Sequence, residues 1–369
     1  VVIQALEKAQ DIPGEDYLEK IVQVPFELPL PDKVSLRLLF FDKLEALLAG
    51  SPSDLFDQVY WSNVYYKGID HFIETPRDVI RLTNTLSVTY PAVRGETNPV
   101  DFIAIESLRV FCPLAYDTIR KNSWAFLGSF DHPRLVPPTK DQIKSFHEMW
   151  ISQVQEGIRD VIRRLLMQIF PKLEAIWENR HYGDDWSSKW RKQLRVCSPD
   201  IFPVYFRLTV PEGNLSNAEI QAILTSVGDS QTFGTKLVEL ANQKRPDGTI
   251  QVRLFLERFH DYIEDIPLND IPSIVEALFD VGDEFPKDQR HHILDSGFGN
   301  AIRIGRIVNQ LLAKLEEPKR FQVLKDAMSQ GKALSLITFH IVVFGQEHGK
   351  HKAKQPSPES ERNVTLEHL

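Results

Sequence analysis

The strongest constraint on the fold is the spacing of apolar residues, which recur every three or four positions along most of the chain. One such stripe contains Val252, Phe255 and Phe259, and the most regular one runs from Ile304 to Leu315. This spacing places apolar side chains on one face of an α-helix. The sequence therefore predicts a mainly α protein.

Helix starts are marked by capping residues at several places. Residues 75–78 and 98–101 each supply an N-cap side chain, a proline at the first helical position and a carboxylate two positions later. Thr139 and Ser216 each precede a Gln or Glu by three positions, which is the spacing of a capping box. These signals predict helices beginning near residues 76, 99, 140 and 217.

Three further elements are predicted from local patterns. The apolar stripe that starts after Thr139 continues to Pro171. It predicts one helix of about thirty residues, roughly 45 Å long, which would bridge or support domains. Two segments rich in β-branched and aromatic residues, near 21–28 and 201–210, predict short strands. The prolines of the first segment favour an edge or terminal strand, whereas Pro203 makes the second strand marginal.

Composition excludes some function classes. The chain has 369 residues and a net charge of −8, which argues against a general nucleic-acid coat or a binder of anionic membranes. Its two cysteines, Cys112 and Cys197, indicate a reducing compartment, so we expect a cytoplasmic protein. The longest apolar run, from Ala333 to Gly345, is too short to span a bilayer.

Motifs for autonomous catalysis are missing from the sequence. It contains no phosphate-binding P-loop and no metal-ligand motif, so no metal site is predicted. Residues 38–42 (LLFFD) imitate a Walker B strand, but apolar residues continue at helical spacing through Leu48. The start at Val1 without methionine and the charged segment after Gly349 are expected of a piece of a longer protein.

One polar face is the candidate site. Arg77, Arg81 and Asn84 fall at positions i, i+4 and i+7 of the helix that begins after Thr75, so they share a face. The helix dipole disfavours a cation in the first turn unless it is solvated or an anion lies nearby. The residues alone leave both a solvated face and a phosphate contact open.

Three segments resemble KAP-family P-loop NTPases. They are DYLEKIVQVPFELP (residues 16–29), TPRDVIRLTN (residues 75–84) and GETNPVDFIAIESLRVF (residues 95–111). The first is similar to the segment that closes the family's nucleotide-binding domain, and the others to the helices that follow it. The resemblance covers about the first 125 residues.

The resemblance implies an ATP site with Mg²⁺ whose Walker motifs lie upstream of Val1. Arg77 would then be the sensor-2 arginine of an AAA-like lid, with Arg81 as the substitute and Asn84 beside them. Lys20 would face nucleotide or a neighbouring subunit, although an exposed lysine before a strand is an equal interpretation. The resemblance implies that the chain divides into five parts: the tail of the P-loop core (1–30), the helical lid (31–125), a long helix and linker (126–200), a C-terminal helical domain (201–348) and a charged tail (349–369).

The same resemblance implies a role in phage defence and two kinds of binding partner. They are the upstream P-loop domain and, through the C-terminal helices, a second copy or a protein partner. Two alternatives stay open: a non-catalytic helical scaffold, and a nucleic-acid-binding module formed by residues 159–195. That segment carries nine Lys and Arg against five Asp and Glu, together with Trp177, Trp186 and Trp190.

Overall fold

The computed structural model describes residues 31–128, 138–178, 185–246, 248–286 and 299–351. Within these ranges the chain forms eighteen α-helices and no β-strand, which confirms the mainly α prediction. The predicted strand at 21–28 and Lys20 lie outside the described residues. Among the residues described, no helix has the length and apolar character needed to cross a membrane.

The first eleven helices surround one hydrophobic core, whose residues run from Leu36 to Tyr205. Their bounds are α1 Lys33–Leu48, α2 Gln58–Lys67, α3 Pro76–Thr89, α4 Pro99–Phe111, α5 Pro113–Lys121, α6 Ser123–Leu127, α7 Lys140–Ser152, α8 Arg159–Ile169, α9 Glu174–Trp177, α10 Asp185–Lys192 and α11 Phe202–Arg207. Helix α4 is central: it contacts α2, α3, α5 and α8, and every residue from Pro99 to Leu108 is buried. We call this body the first core.

The other seven helices form a second core, whose buried residues run from Leu215 to Ile337. Their bounds are α12 Asn217–Leu224, α13 Ser230–Ala241, α14 Gln251–Phe259, α15 Ile271–Val281, α16 Gly299–Ala313, α17 Glu317–Gln330 and α18 Leu334–His351. Helix α15 lies between α13 and α17 and also contacts α16. The segment that joins the cores has positive φ angles at Leu208 and Gly213.

The predicted thirty-residue helix is wrong. Helix α7 ends at Ser152, a turn follows, and α8 begins at Arg159. The Arg159 guanidinium donates to the carbonyl of Ser152, the last residue of α7 (2.5 Å), and to that of Val154 in the turn (2.8 Å). The apolar period continues through the break, because Val154 and Val161 are both buried, so periodicity alone did not reveal it.

The break lets α8 pack against α2. Leu165 of α8 lies over Gly68, where an added Cβ would be 2.6 Å from the Leu165 Cδ1. Only glycine allows this approach, because any larger residue would overlap Leu165. A straight continuation of α7 would have carried α8 away from the first core.

The predicted strand at 201–210 is also wrong, because residues 202–207 form α11. Pro203 lies in the first turn of this helix, where its missing N–H removes no hydrogen bond. Phe202 and Tyr205 are buried at i, i+3 spacing, which is a helical period. β-type composition favoured a strand here, but the spacing of the apolar residues decides the structure.

Other sequence signals are confirmed. Thr75, Thr139 and Ser216 each close a reciprocal capping box, and Asn98 accepts hydrogen bonds from the first turn of α4. The segment that imitates a Walker B strand lies within helix α1. Both cysteines are buried, and burial raises the pKa of Cys112 and raises that of Cys197 to about 12.

Candidate functional site

The start of α3 is held by its cap and by α1. The Thr75 Oγ1 accepts from the Asp78 amide (3.3 Å), and Asp78 Oδ2 accepts from the Thr75 amide (2.9 Å). Lys33 donates to the carbonyl oxygens of Asp70 and Ile73, both at 2.8 Å. These bonds fix the turn that leads into α3.

Arg37 and Asp70 form a bidentate ion pair that anchors the same turn. The guanidinium donates from Nε and Nη2 to the two carboxylate oxygens at 2.9 and 2.7 Å. The hydrogen bonds from Arg37 lower the pKa of the Asp70 carboxyl. Sequence reasoning did not single out this pair, because its members lie thirty-three positions apart and belong to no motif.

Arg77, Arg81 and Asn84 are all exposed on α3, so the structure places the three predicted residues on one surface. Arg81 is engaged by the protein itself. Its Nη2 donates to the Val110 carbonyl (3.2 Å) and its guanidinium lies 5.7 Å from the centre of the Phe111 ring. It therefore braces α3 against the end of α4.

Arg77 differs from Arg81 in having no partner within the part of the chain that the structure describes. Among the described residues it makes no hydrogen bond, ion pair or ring contact. It lies at the second position of α3, where the positive end of the helix dipole also favours an anion. Its guanidinium is thus available for a phosphate, whereas that of Arg81 would first have to leave Val110.

The described residues offer no metal site. They contain no group of three or more His, Cys, Asp or Glu side chains placed to hold an ion. Arg77 can contact a phosphate of ATP, but a single exposed guanidinium cannot hold the nucleotide. The adenine, ribose and Mg²⁺ would have to be bound by other residues.

A buried polar cluster ties residues 60–101 to residues 193–205. Arg195 donates from Nε to Asp101 Oδ2 (2.8 Å) and from Nη2 to the Tyr60 hydroxyl (2.6 Å), and it stacks 4.0 Å from the Tyr60 ring centre. The Val196 amide also donates to Asp101 Oδ2, at 2.8 Å. Burial raises the pKa of Tyr60, so its hydroxyl stays protonated and donates to Asp101.

Asn98 and Tyr205 extend this cluster. The Tyr205 hydroxyl donates to the Leu194 carbonyl (2.7 Å) and accepts from the Asn98 amide (3.0 Å). The Asn98 side chain donates to Leu55 and Gln193 carbonyls while it caps α4. Sequence analysis identified Asn98 and Asp101 as helix-start residues but missed their long-range partners.

Most of the cations that the structure describes within residues 159–195 bind within the protein. Arg191 donates to Asp261 (2.6 and 2.8 Å) and Lys172 to the Leu127 carbonyl (2.9 Å). Lys192 pairs with Asp265, and Arg159 and Arg195 are engaged as described above. Trp190 is buried, whereas Trp186 is 42% exposed. Beside this exposed ring lies Lys189, whose Nζ is 4.9 Å from the ring centre.

A family comparison indicates which class of protein the first part of the chain resembles. Residues 1–93 match the family model described as "KAP family P-loop domain", which confirms the resemblance to KAP NTPases. Helices α1, α2 and α3, including Arg77, Arg81 and Asn84, lie within the match.

Part of the chain is also similar to one known protein. The chain is 31% identical over 124 residues to the phage T7 exclusion protein of Escherichia coli (strain K12). The match covers 32% of this chain and 16% of the relative, so it spans about a sixth of that protein. No solved structure matches the chain.

Proposed function

We propose that this chain supplies the helical lid and a C-terminal helical region of a KAP-family NTPase. In this proposal Arg77 completes an ATP site whose Walker motifs lie upstream of Val1. The observation that carries the proposal is the contrast on α3: Arg81 binds Val110, whereas Arg77 is exposed and has no partner among the described residues. The family match over residues 1–93 supports it.

The roles of the other residues follow from their contacts. Arg37 and Lys33 hold the turn before α3 and so fix where Arg77 lies. Arg81 keeps α3 aligned on α4, and Asn84 extends the polar face by one turn. Bound ATP with Mg²⁺ would supply the phosphoanhydride bond that is hydrolysed. Arg77 would place its charge beside the terminal phosphates, where negative charge develops.

We also propose a cytoplasmic role in phage defence, with the upstream P-loop domain as intramolecular partner. A second copy or another protein would bind through the C-terminal helical domain, residues 201–348. The printed name of the E. coli relative supports the defence role. A non-catalytic helical scaffold is the second candidate, favoured by the solvated Arg77 face. The nucleic-acid module is the weakest candidate, because most cations of residues 159–195 already bind within the protein.

ATP turnover by the protein with the residues upstream of Val1 included tests the main proposal. Arg77→Ala should lower kcat by on the order of 10³ if this arginine contacts the phosphate in the transition state. Arg81→Ala should lower it far less, since that guanidinium binds Val110. Arg164→Ala, an exposed arginine on α8, is the matched control.

Equal turnover in wild type and Arg77→Ala would refute the sensor role. Absence of turnover in every variant would favour the scaffold. Unfolding curves for each variant separate a loss of catalysis from a loss of fold.

A further inference from the structure

The joint between the two cores is polar. Apart from the linker after Arg207, its principal contacts are Arg191 with Asp261, Lys192 with Asp265, and the loop between α3 and α4 with the start of α12. The apolar residues form two separate clusters, which do not merge across the joint. Polar interfaces between bodies of one chain permit relative motion.

Glu96 completes the first turn of a helix that belongs to the other core. The capping box at Ser216 satisfies the amides of Ser216 and Glu219. The amides of Asn217 and Ala218 remain, and both donate to the Glu96 carboxylate, at 2.6 and 3.3 Å. The Asn217 side chain also donates to the Gly95 carbonyl (3.0 Å). The first core therefore provides the cap that α12 lacks on its own.

At this joint each core buries a charged side chain, which is energetically unfavourable. Burial raises the pKa of the Glu96 carboxyl, and nearby Glu219 raises it further, although the two amides and Arg258 oppose the shift. Arg258 of α14 is 5% exposed, and its Nε and Nη2 have no hydrogen-bond partner among the described residues. Buried charges with incomplete hydrogen bonding are expensive. A cleft of about 510 Å³ lies along the same joint, lined in part by Asp54, Asn217 and Gln221.

Helix α3 connects the candidate phosphate contact to this joint. Arg77 lies in its first turn, and Glu96 follows its last residue by seven positions. The fourteen residues of α3 span about 21 Å. A displacement at the Arg77 end of a packed helix moves its other end as well, because packed helices shift as units.

We propose that the contact between Glu96 and the first turn of α12 is a releasable latch between the cores, through which a displacement of α3 reaches residues 215–337. This inference rests on the proposed function for its trigger, but the latch itself is a property of the described residues. Opening frees the amides of α12 and lets water reach Arg258. The second core then turns about residues 208–215 once the ion pairs Arg191–Asp261 and Lys192–Asp265 have also separated.

Distances between spin labels on the two cores test the latch in this chain. Ser87→Cys on α3 and Thr235→Cys on α13 are exposed sites, and both native cysteines are buried. Glu96→Lys places a cation against the start of α12 and against Arg258. We expect it to raise the ratio of open to closed molecules about tenfold or more, seen as a new population at longer distance.

Two further variants make this test specific. Glu212→Lys makes the same charge change at an exposed linker residue and should leave the distances as in wild type. Asn217→Asp places a second carboxylate beside Glu96, yet an acidic residue in the first turn favours α12 itself. It should therefore open the latch without unfolding the helix. Unchanged distances in both Glu96→Lys and Asn217→Asp, or equal opening in Glu212→Lys, would overturn the latch.

The trigger is tested separately in the protein extended upstream of Val1. A non-hydrolysable ATP analogue should change the label distances, and Arg77→Ala should abolish the change. No change on adding the analogue, in a protein that hydrolyses ATP, would overturn the coupling through α3. Failure of the proposed function would instead appear as unaltered ATP turnover in Arg77→Ala, so the two failures are read in different assays.

Discussion

Asp101 and Arg195 lie ninety-four positions apart, and each neutralises the other in the interior. Asp101 is completely buried, and Arg195 is 6% exposed. Taking one charge away leaves the other desolvated, which costs far more than the pair itself contributes. The stability of the first core therefore depends on this pair more than on any exposed ion pair.

Replacing Arg195 with leucine should lower the free energy of unfolding by about 3–5 kcal/mol, because Asp101 loses its buried countercharge. Urea unfolding followed by tryptophan fluorescence measures this. Arg164→Leu on α8 is the control and should change stability by less than about 0.5 kcal/mol, since Arg164 is exposed. Similar losses in the two variants would show that the buried pair contributes no more to stability than an exposed arginine does.

Residue types alone predicted part of the candidate site. Arg77, Arg81 and Asn84 share an exposed face because helical spacing fixes which side chains lie together. The difference between the two arginines was not predictable, since it depends on where α4 ends and exposes the Val110 carbonyl. Whether Arg77 contacts phosphate stays a prediction.

Among the elements, α8 shows how a packing contact overrides a periodic pattern. The apolar stripe from Thr139 to Pro171 is continuous, but α8 reaches α2 only because the chain turns after Ser152. Capping signals predicted the starts of α3, α4, α7 and α12 well, because a cap is a local interaction. The close packing of α8 on α2 depends on a glycine ninety-seven positions before Leu165, which no local pattern reveals.

Alanine at Gly68 should separate α8 from α2. Its Cβ would lie 2.6 Å from the Leu165 Cδ1, so we expect a loss of about 1–3 kcal/mol in the free energy of unfolding. Chemical denaturation of the variant measures the loss. Gly157→Ala is matched to it, because nothing lies within 4 Å of the added Cβ there, and it should be neutral or mildly stabilising. If Gly157→Ala is as harmful as Gly68→Ala, close packing of α8 on α2 is not the reason.

On the scale of the whole molecule, one buried histidine lies in each core among the residues that the structure describes. His147 accepts from Trp150 Nε1 at its Nδ1 (3.1 Å) and lies 3.0 Å from the Ala125 carbonyl through Nε2, which makes it a neutral donor there. His340 lies 5.1 Å from the Phe279 ring centre in the second core. Burial lowers the pKa of both imidazoles.

This arrangement predicts acid sensitivity in both cores. Below about pH 6.5 the unfolded chain binds protons at these histidines while the folded protein does not, so stability falls as the pH is lowered through this range. Thermal unfolding between pH 7 and pH 5 should show a steeper fall in Tm for wild type than for the His147→Gln, His340→Gln double variant. Parallel pH profiles would contradict the prediction, whatever the absolute Tm of the variant.

The burial of α4 also has a consequence for synthesis of the chain on the ribosome. Asp101 is already inside the helical layer formed by its predecessors, but its countercharge, Arg195, is translated ninety-four residues later. Until that segment leaves the exit tunnel, a nascent chain that closes around α4 would trap an unpaired carboxylate. We therefore expect α4 to reach its final packing only after residues 193–205 have been synthesised.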